Sequence, residues 1–324
     1  MLKSILCLLP IILFACGEGN PQNNSGPALT DTFEPLQNDA VILQILGTIQ
    51  DAGSPQIACK KACCKGLFEN PDPNRKVVSL GLVDKKENKQ YLFEATPDLA
   101  SQMERLSEIG NQEAMADGIF LTHAHIGHYT GLMYLGKEAL DAKKKAVYAM
   151  PRMKIFLTNN GPWSLLVERE NIEIFDLEPE VRLSLTKNIS VTPFLVPHRD
   201  EFSETVGYHI QGPNKSALFI PDIDKWEKWE KDIVAEIKKV DYAFVDATFY
   251  SGEEINNRDI SQIPHPFIIE SMAKFKSLDP KEKEKIIFIH FNHTNPVIVP
   301  NSEAANYVRT KGYRIAEIGA SFVL

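Results

Sequence analysis

Apolar runs separated by polar turns divide the chain into short strands and short helices. Residues 41–49 (VILQILGTI) read as a strand closing in a glycine turn; 76–83 and 90–95 follow as strands joined by the polar DKKENK. Thr96 is placed to cap a helix with Pro97 at its first position, running to Ile109. The apolar run Gly118–Leu121 reads as a buried strand within 117–122, and a helix is expected over 130–140. A strand at 146–150 and a helix at 151–157 precede the sharp break Asn159-Asn160-Gly161-Pro162. Beyond it, strands are expected at 189–196, 205–211 and 216–221, a charged helix over 225–239, and a buried strand at 242–245. A helix near 267–277, a strand at 285–290, a helix near 302–311 and a terminal strand at 314–324 complete the pattern. Strands in two blocks, each ending in helices, predict an α/β domain of two mixed sheets face to face between helices.

Composition adds compartment and partner. The 324 residues are 44% hydrophobic, enough for a proper core, and the net charge of −8 argues against a nucleic-acid groove. After the N-terminus no apolar stretch approaches the roughly 18 residues a membrane helix needs. At the N-terminus, Lys3 precedes an apolar run from Ile5 to Ala15, a leader pattern rather than a span. Leu13-Phe14-Ala15-Cys16 resembles a bacterial lipobox, so residues 1–16 are expected to be a lipoprotein signal with Cys16 lipidated. The alternative is an ordinary secretory signal with an incidental Cys16. Residues 17–38, rich in Asn, Pro and Gly, read as a flexible tether, and 39–324 as the folded domain. The expected location is the cell envelope, exported and lipid-anchored, with outer-membrane sorting favoured by Gly17.

Candidate chemistry concentrates in LTHAHIGHYTG. It holds three of the chain's eight histidines, His123, His125 and His128, directly after a buried strand. Histidines two apart at a strand end project to one side, and imidazole is the commonest metal ligand. His198 follows the strand at 189–196, Asp222 closes ALFIPD, His290 ends the strand at 285–290, and His293 lies just beyond it. His209 alternates with apolar residues on its strand and reads as structural. Cys59, Cys63 and Cys64 form QIACKKACCKGL, open to a structural metal, a disulfide plus a free thiol, or inert thiols.

The run THAHIGHYTGL resembles the signature of the metallo-β-lactamase-fold hydrolases, H-x-H-x-D-H, with Gly127 where that pattern has aspartate. The Cys-rich loop, VDATF and HFNHTNP resemble the pyrroloquinoline quinone biosynthesis protein B and phosphonate phosphodiesterase branches. The resemblance implies a four-layer αββα sandwich. It also implies a first metal on His123, His125 and His198 and a second on His128, Asp222 and His293, with Asp224 the alternative to Asp222. Asp222 would steer the water, Asp246 would orient a ligand histidine, and His265 would lie in the active site. Because glycine supplies no ligand, weak second-site binding is expected, and Gly127→Asp is expected to strengthen it. The function so implied is metal-dependent hydrolysis of an ester, phosphodiester in type, using one or two zinc ions, with iron or manganese as substitutes, on a small-molecule substrate. The alternatives are an oxidoreductase like the quinone biosynthesis protein B group and a non-catalytic metal-binding lipoprotein.

Overall fold

The computed structural model describes residues 40–110, 115–255 and 259–324; the expected leader, Cys16 and the tether lie outside the described residues. Two seven-stranded sheets form the centre of the domain. The first takes β1 (Val41–Gly47), β2 (Ser79–Asp84), β3 (Lys89–Phe93), β4 (Gly118–Phe120), β5 (Lys145–Ala149) and β6 (Ile172–Asp176). The second takes β7 (Leu183–Ser184), β8 (Ser190–Leu195), β9 (Val206–Gln211), β10 (Ser216–Ile220), β11 (Tyr242–Asp246), β12 (Ile286–Ile289) and β13 (Arg314–Ile315). The last strand, β14 (Ser321–Val323), returns to the first sheet and pairs antiparallel with β1. Strands β2, β10 and β12 are buried at every position, as strands covered on both faces must be.

The helices are α1 (Leu99–Ile109), α2 (Ile126–Tyr129), α3 (Pro151–Asn159), α4 (Trp163–Glu168), α5 (Ile233–Lys238), α6 (Ile268–Lys274), α7 (Pro280–Glu284) and α8 (Glu303–Thr310). Leu99 and Leu106 of α1, Met153 and Leu157 of α3 and Leu166 of α4 pack with Leu92, Ile119 and Val147 of the first sheet. Ile233 and Ile237 of α5, Ile268 of α6 and Val308 of α8 join the core of the second sheet. The layer order is therefore helix, sheet, sheet, helix. Between the sheets Phe120 stacks on Phe93 at 5.1 Å and on Tyr148 at 4.4 Å, and Phe93 meets Phe219 edge-on at 6.1 Å. The buried Tyr208 hydroxyl donates to the carbonyl of Leu121, so the second sheet grips the end of β4 just before His123.

Four expected elements differ. The first helix starts at Leu99 with Asp98 at its N-cap, because the Asp98 carboxylate accepts from Val77 N at 2.9 Å and Lys76 Nζ at 3.1 Å. Thr96 instead accepts from Asp98 N. The helix expected over 130–140 is α2 followed by a 3₁₀ segment, Thr130–Leu135. The charged helix over 225–239 is broken: Trp226 and Trp229 turn inward, Trp229 Nε1 donates to Leu195 O at 2.8 Å, and only Ile233–Lys238 is α-helical. The terminal strand is two strands in different sheets, parted by a turn at Gly319 with φ +90°, a conformation suited to glycine.

Candidate metal centre

The strand ends converge on one edge of the sandwich. Asp51 follows β1, His123 and His125 follow β4, and His128 lies on α2 immediately beyond. His198 follows β8, Asp222 follows β10, Asp246 closes β11 and His290 follows β12. Side chains distant in sequence are thus delivered by rigid elements rather than by long loops.

Two ligand sets share one carboxylate. The first is His123, His125, His198 and Asp222. Here His123 Nε2 lies 2.8 Å from His125 Nδ1 and 3.4 Å from Asp222 Oδ2, and His198 Nε2 lies 3.3 Å from Asp222 Oδ1. The second set is Asp51, His128, Asp222 and His290. His128 Nε2 sits 2.8 Å from Asp51 Oδ1 and 3.6 Å from Asp222 Oδ2; His290 Nε2 sits 3.7 Å from the same Asp222 oxygen. His293, expected in this second set, is not there. Strand β12 ends at Ile289, so His290 is the residue at the sheet edge, and Asp51, to which the sequence reading gave no role, completes the set.

His293 instead gathers with Cys59, Cys63 and Cys64, giving that loop the fourth ligand its sequence lacks. All three cysteines are free in this structure. His293 Nδ1 donates to Asn292 Oδ1 at 2.8 Å, leaving Nε2 for the cysteine cluster. A Cys₃His set is a structural zinc pattern. It closes the loop of residues 51–75 onto the segment after β12, where Gln50 N donates to Phe291 O and Phe291 N to Thr48 O.

Buried threonines set the histidine tautomers. Thr248 Oγ1 has one proton, which goes to the acceptor-only Asp246 Oδ1 at 2.7 Å, so His290 Nδ1 donates to Thr248 at 2.8 Å. That leaves the His290 Nε2 lone pair facing Asp51 and Asp222. The first sheet repeats the device: Thr122 Oγ1 donates to Glu94 Oε1 at 2.6 Å and accepts from His123 Nδ1 at 2.8 Å. Glu94 Oε1 also stands 3.2 Å from His128 Nδ1, turning Nε2 of that ring toward Asp51. Asp246 Oδ2 accepts from Ile223 N and, at 2.9 Å, from His265 Nδ1, which is also 3.1 Å from Asp222 Oδ1. His265 thus packs against Asp222, while His209 lies on β9 and belongs to neither set.

The donors fit divalent cations. Asp51 Oδ1, His128 Nε2, His198 Nε2, Asp222 Oδ1 and His290 Nε2 are buried without a hydrogen-bond partner, although several lie within 4 Å of one another. Close contact without hydrogen-bond geometry is what lone pairs aimed at a common point produce, and buried polar groups are otherwise paired. Burial lowers His123, His125 and His198, the last to about 4, so these rings are neutral and able to ligate. Burial opposes charge on His128, yet Glu94 and Asp51 raise its pKa well above the ordinary value, so an arriving cation displaces a proton. Burial likewise opposes charge on His265, but Asp246 and Asp222 raise it to about 10. Within the two sets the side chains of His125 and Asp51 are the most exposed, each at 14%, and His125 stands beside the exposed Arg199 and Glu201.

Comparison with known proteins agrees with this architecture. The chain is 25% identical over 312 residues to a coenzyme PQQ synthesis protein B of Methylobacillus flagellatus, with 87% of this chain and 99% of that one covered. Among solved structures it is similar to Zn(2+)-bound PqqB from Methylobacterium extorquens, with TM-score 0.71 and 21% identity over 87% of this chain and 100% of the other. It also resembles a diphosphatase of the PhnP family, with TM-score 0.63 and 21% identity over 88% and 97% of the two chains. A family model described as the Beta-lactamase superfamily domain matches residues 89–291, from β3 to the residue after His290. With most of its length inside that match and its sheets arranged in the metallo-β-lactamase fold, the chain belongs to the β-lactamase superfamily.

Proposed function

We propose that the chain is a metal-dependent hydrolase of a small ester, phosphodiester in type. The observation that carries this reading is Asp222. Its two oxygens lie 3.3–3.7 Å from His123, His198, His128 and His290, so one carboxylate faces both ligand sets. A carboxylate so placed could serve two cations at once. Divalent ions bound there would supply Lewis-acid polarisation and lower the pKa of water toward neutrality. The nitrogen and oxygen donors suit zinc, and also iron or manganese. His123, His125 and His198 would hold the first ion, and Asp51, His128 and His290 the second. Asp222 orients the attacking water, and His265 holds Asp222 through its contact at 3.1 Å. Substrate enters on the His125 side, where Arg199 lies near enough to oppose protonation of His125 and presents a cation to an anionic group.

The Cys16 anchor is part of the proposal and rests on the leader pattern of residues 1–16. A second reading has support in the near full-length match to coenzyme PQQ synthesis proteins: oxidative chemistry on a quinone precursor. Metal analysis and turnover separate the two. Hydrolysis predicts zinc or manganese and release of p-nitrophenol from bis(p-nitrophenyl) phosphate, abolished in His123→Ala and Asp222→Asn. Iron with oxygen consumption and no ester cleavage would overturn it.

A further inference from the structure

We infer that Asp51 is the acidic ligand of the second cation and that Gly127 is glycine to make room for it, an inference resting on the two-cation reading above. A Cβ built on Gly127 would lie 2.5 Å from the Asp51 Cα and 3.0 Å from its Cβ, and nearer still to Oδ1. Real Cβ atoms do not approach so closely, so Asp51 fills the volume of a side chain at 127. Gly127 lies within α2 and is not among the positive-φ glycines, so the requirement is for space and not for backbone conformation. The carboxylate that THAHIGH omits thus enters from the other side of the same cleft, and the set keeps two carboxylates and two imidazoles. This reverses the expectation that Gly127→Asp would strengthen the site.

Asp51 is also held firmly. The residue before it, Gln50, donates through its backbone to Phe291 O at 2.9 Å, and Phe291 N donates to Thr48 O at 2.8 Å. Phe291 directly follows His290, so two ligands of the second set are carried on adjacent, hydrogen-bonded backbone. His128 Nε2 approaches Asp51 Oδ1 at 2.8 Å, a buried contact lacking hydrogen-bond geometry, as ligand atoms aimed at one cation show.

The test is cobalt titration of the metal-stripped full chain. Near-ultraviolet thiolate charge transfer, with its intense d–d bands, reports cobalt at the cysteine cluster, and the weaker d–d bands that grow without further charge transfer report the nitrogen and oxygen sites. Asp51→Asn, of equal volume, is expected to weaken the second nitrogen/oxygen ion ~10-fold or more while sparing the first ion and the thiolate signal. Gly127→Ala, which adds no ligand, is expected to weaken the same ion by displacing Asp51. In the Asp51→Asn background Gly127→Ala should then have no further effect on that ion, a non-additivity expected only if the two act through one group. Wild-type affinity for both ions in Asp51→Asn would overturn the inference while leaving the proposed function standing. A wild-type chain that binds cobalt only through thiolates would instead overturn the reading beneath it. If Gly127→Ala fails to fold, Asp51→Asn decides alone.

Discussion

Thr248→Val isolates the tautomer device from the ligands. Valine matches threonine in shape, so the change removes one hydroxyl and little volume. Three interactions go with it: the 2.7 Å donation to Asp246 Oδ1, the 2.8 Å acceptance from His290 Nδ1, and the 3.1 Å contact with His265 Nδ1. Asp246 Oδ1 keeps its bond from Thr248 N at 2.9 Å, so the carboxylate is not orphaned. His290 Nδ1 is, because the ring is completely buried. An orphaned buried donor costs about 1–3 kcal/mol, and the lost charge-assisted bond to Asp246 adds about 1.5–3. The sum is about 2.5–6 kcal/mol, diminished where His290 moves its proton to Nε2 and donates to Asp222 or Asp51. That tautomer blocks ligation, so second-site metal affinity should fall ~10–100-fold. Calorimetric metal titration gives the affinity and thermal melts of the metal-free protein give the stability. If Thr248→Val binds its second ion as wild type does, the tautomer argument is wrong.

Further outcomes follow from the same geometry. Cys63→Ser should lose one thiolate-bound equivalent of metal and lower the melting temperature; unchanged sulfur–metal absorption would refute the Cys₃His assignment. His198→Ala should remove first-site metal and the stabilisation linked to it, read by elemental analysis and melting. Arg199→Gln should raise KM for a phosphodiester several-fold with kcat nearly unchanged, since the side chain sits at the rim and touches no ligand; a fall in kcat alone would contradict that placement. Cys16→Ser should move the protein from the membrane fraction to the soluble exported fraction, and an unaltered membrane fraction would count against lipidation.

The sequence was most readable where a ligand stands directly against an apolar strand. His123, His125, His198 and Asp222 each close such a run, and the structure gathers them around one carboxylate. His290 obeys the same rule, being the first residue beyond β12, but similarity to family runs favoured His293 three positions on. Asp51 carries no local signal, because QDAGS has the composition of any turn. The available clue was a deficit: a metal motif with glycine in place of its carboxylate requires a carboxylate from elsewhere. Helix lengths were overestimated at 130–140 and 225–239. Periodicity there reports burial, but Trp226 and Trp229 achieve it from a 3₁₀ turn and an extended residue. The end of the chain read as one strand because both its pieces are apolar, and nothing local marks the passage from one sheet to the other.

That passage ties β1, near the start of the described domain, to the strand nearest its end. β14 pairs with β1 through Ile42–Val323, Leu43–Phe322 and Gln44–Ser321, and Leu324 N donates to Val41 O. β1 is the strand from which Asp51 hangs, and β14 covers its outer edge. Contacts between the two ends of a chain form slowly, because a long loop must be closed before they are rewarded. During synthesis the three histidines of the first set can assemble without the C-terminus, whereas the second set awaits His290 and a secured β1. If two ions bind, topology would order their capture: the first set is complete by Asp222, whereas the second also needs His290.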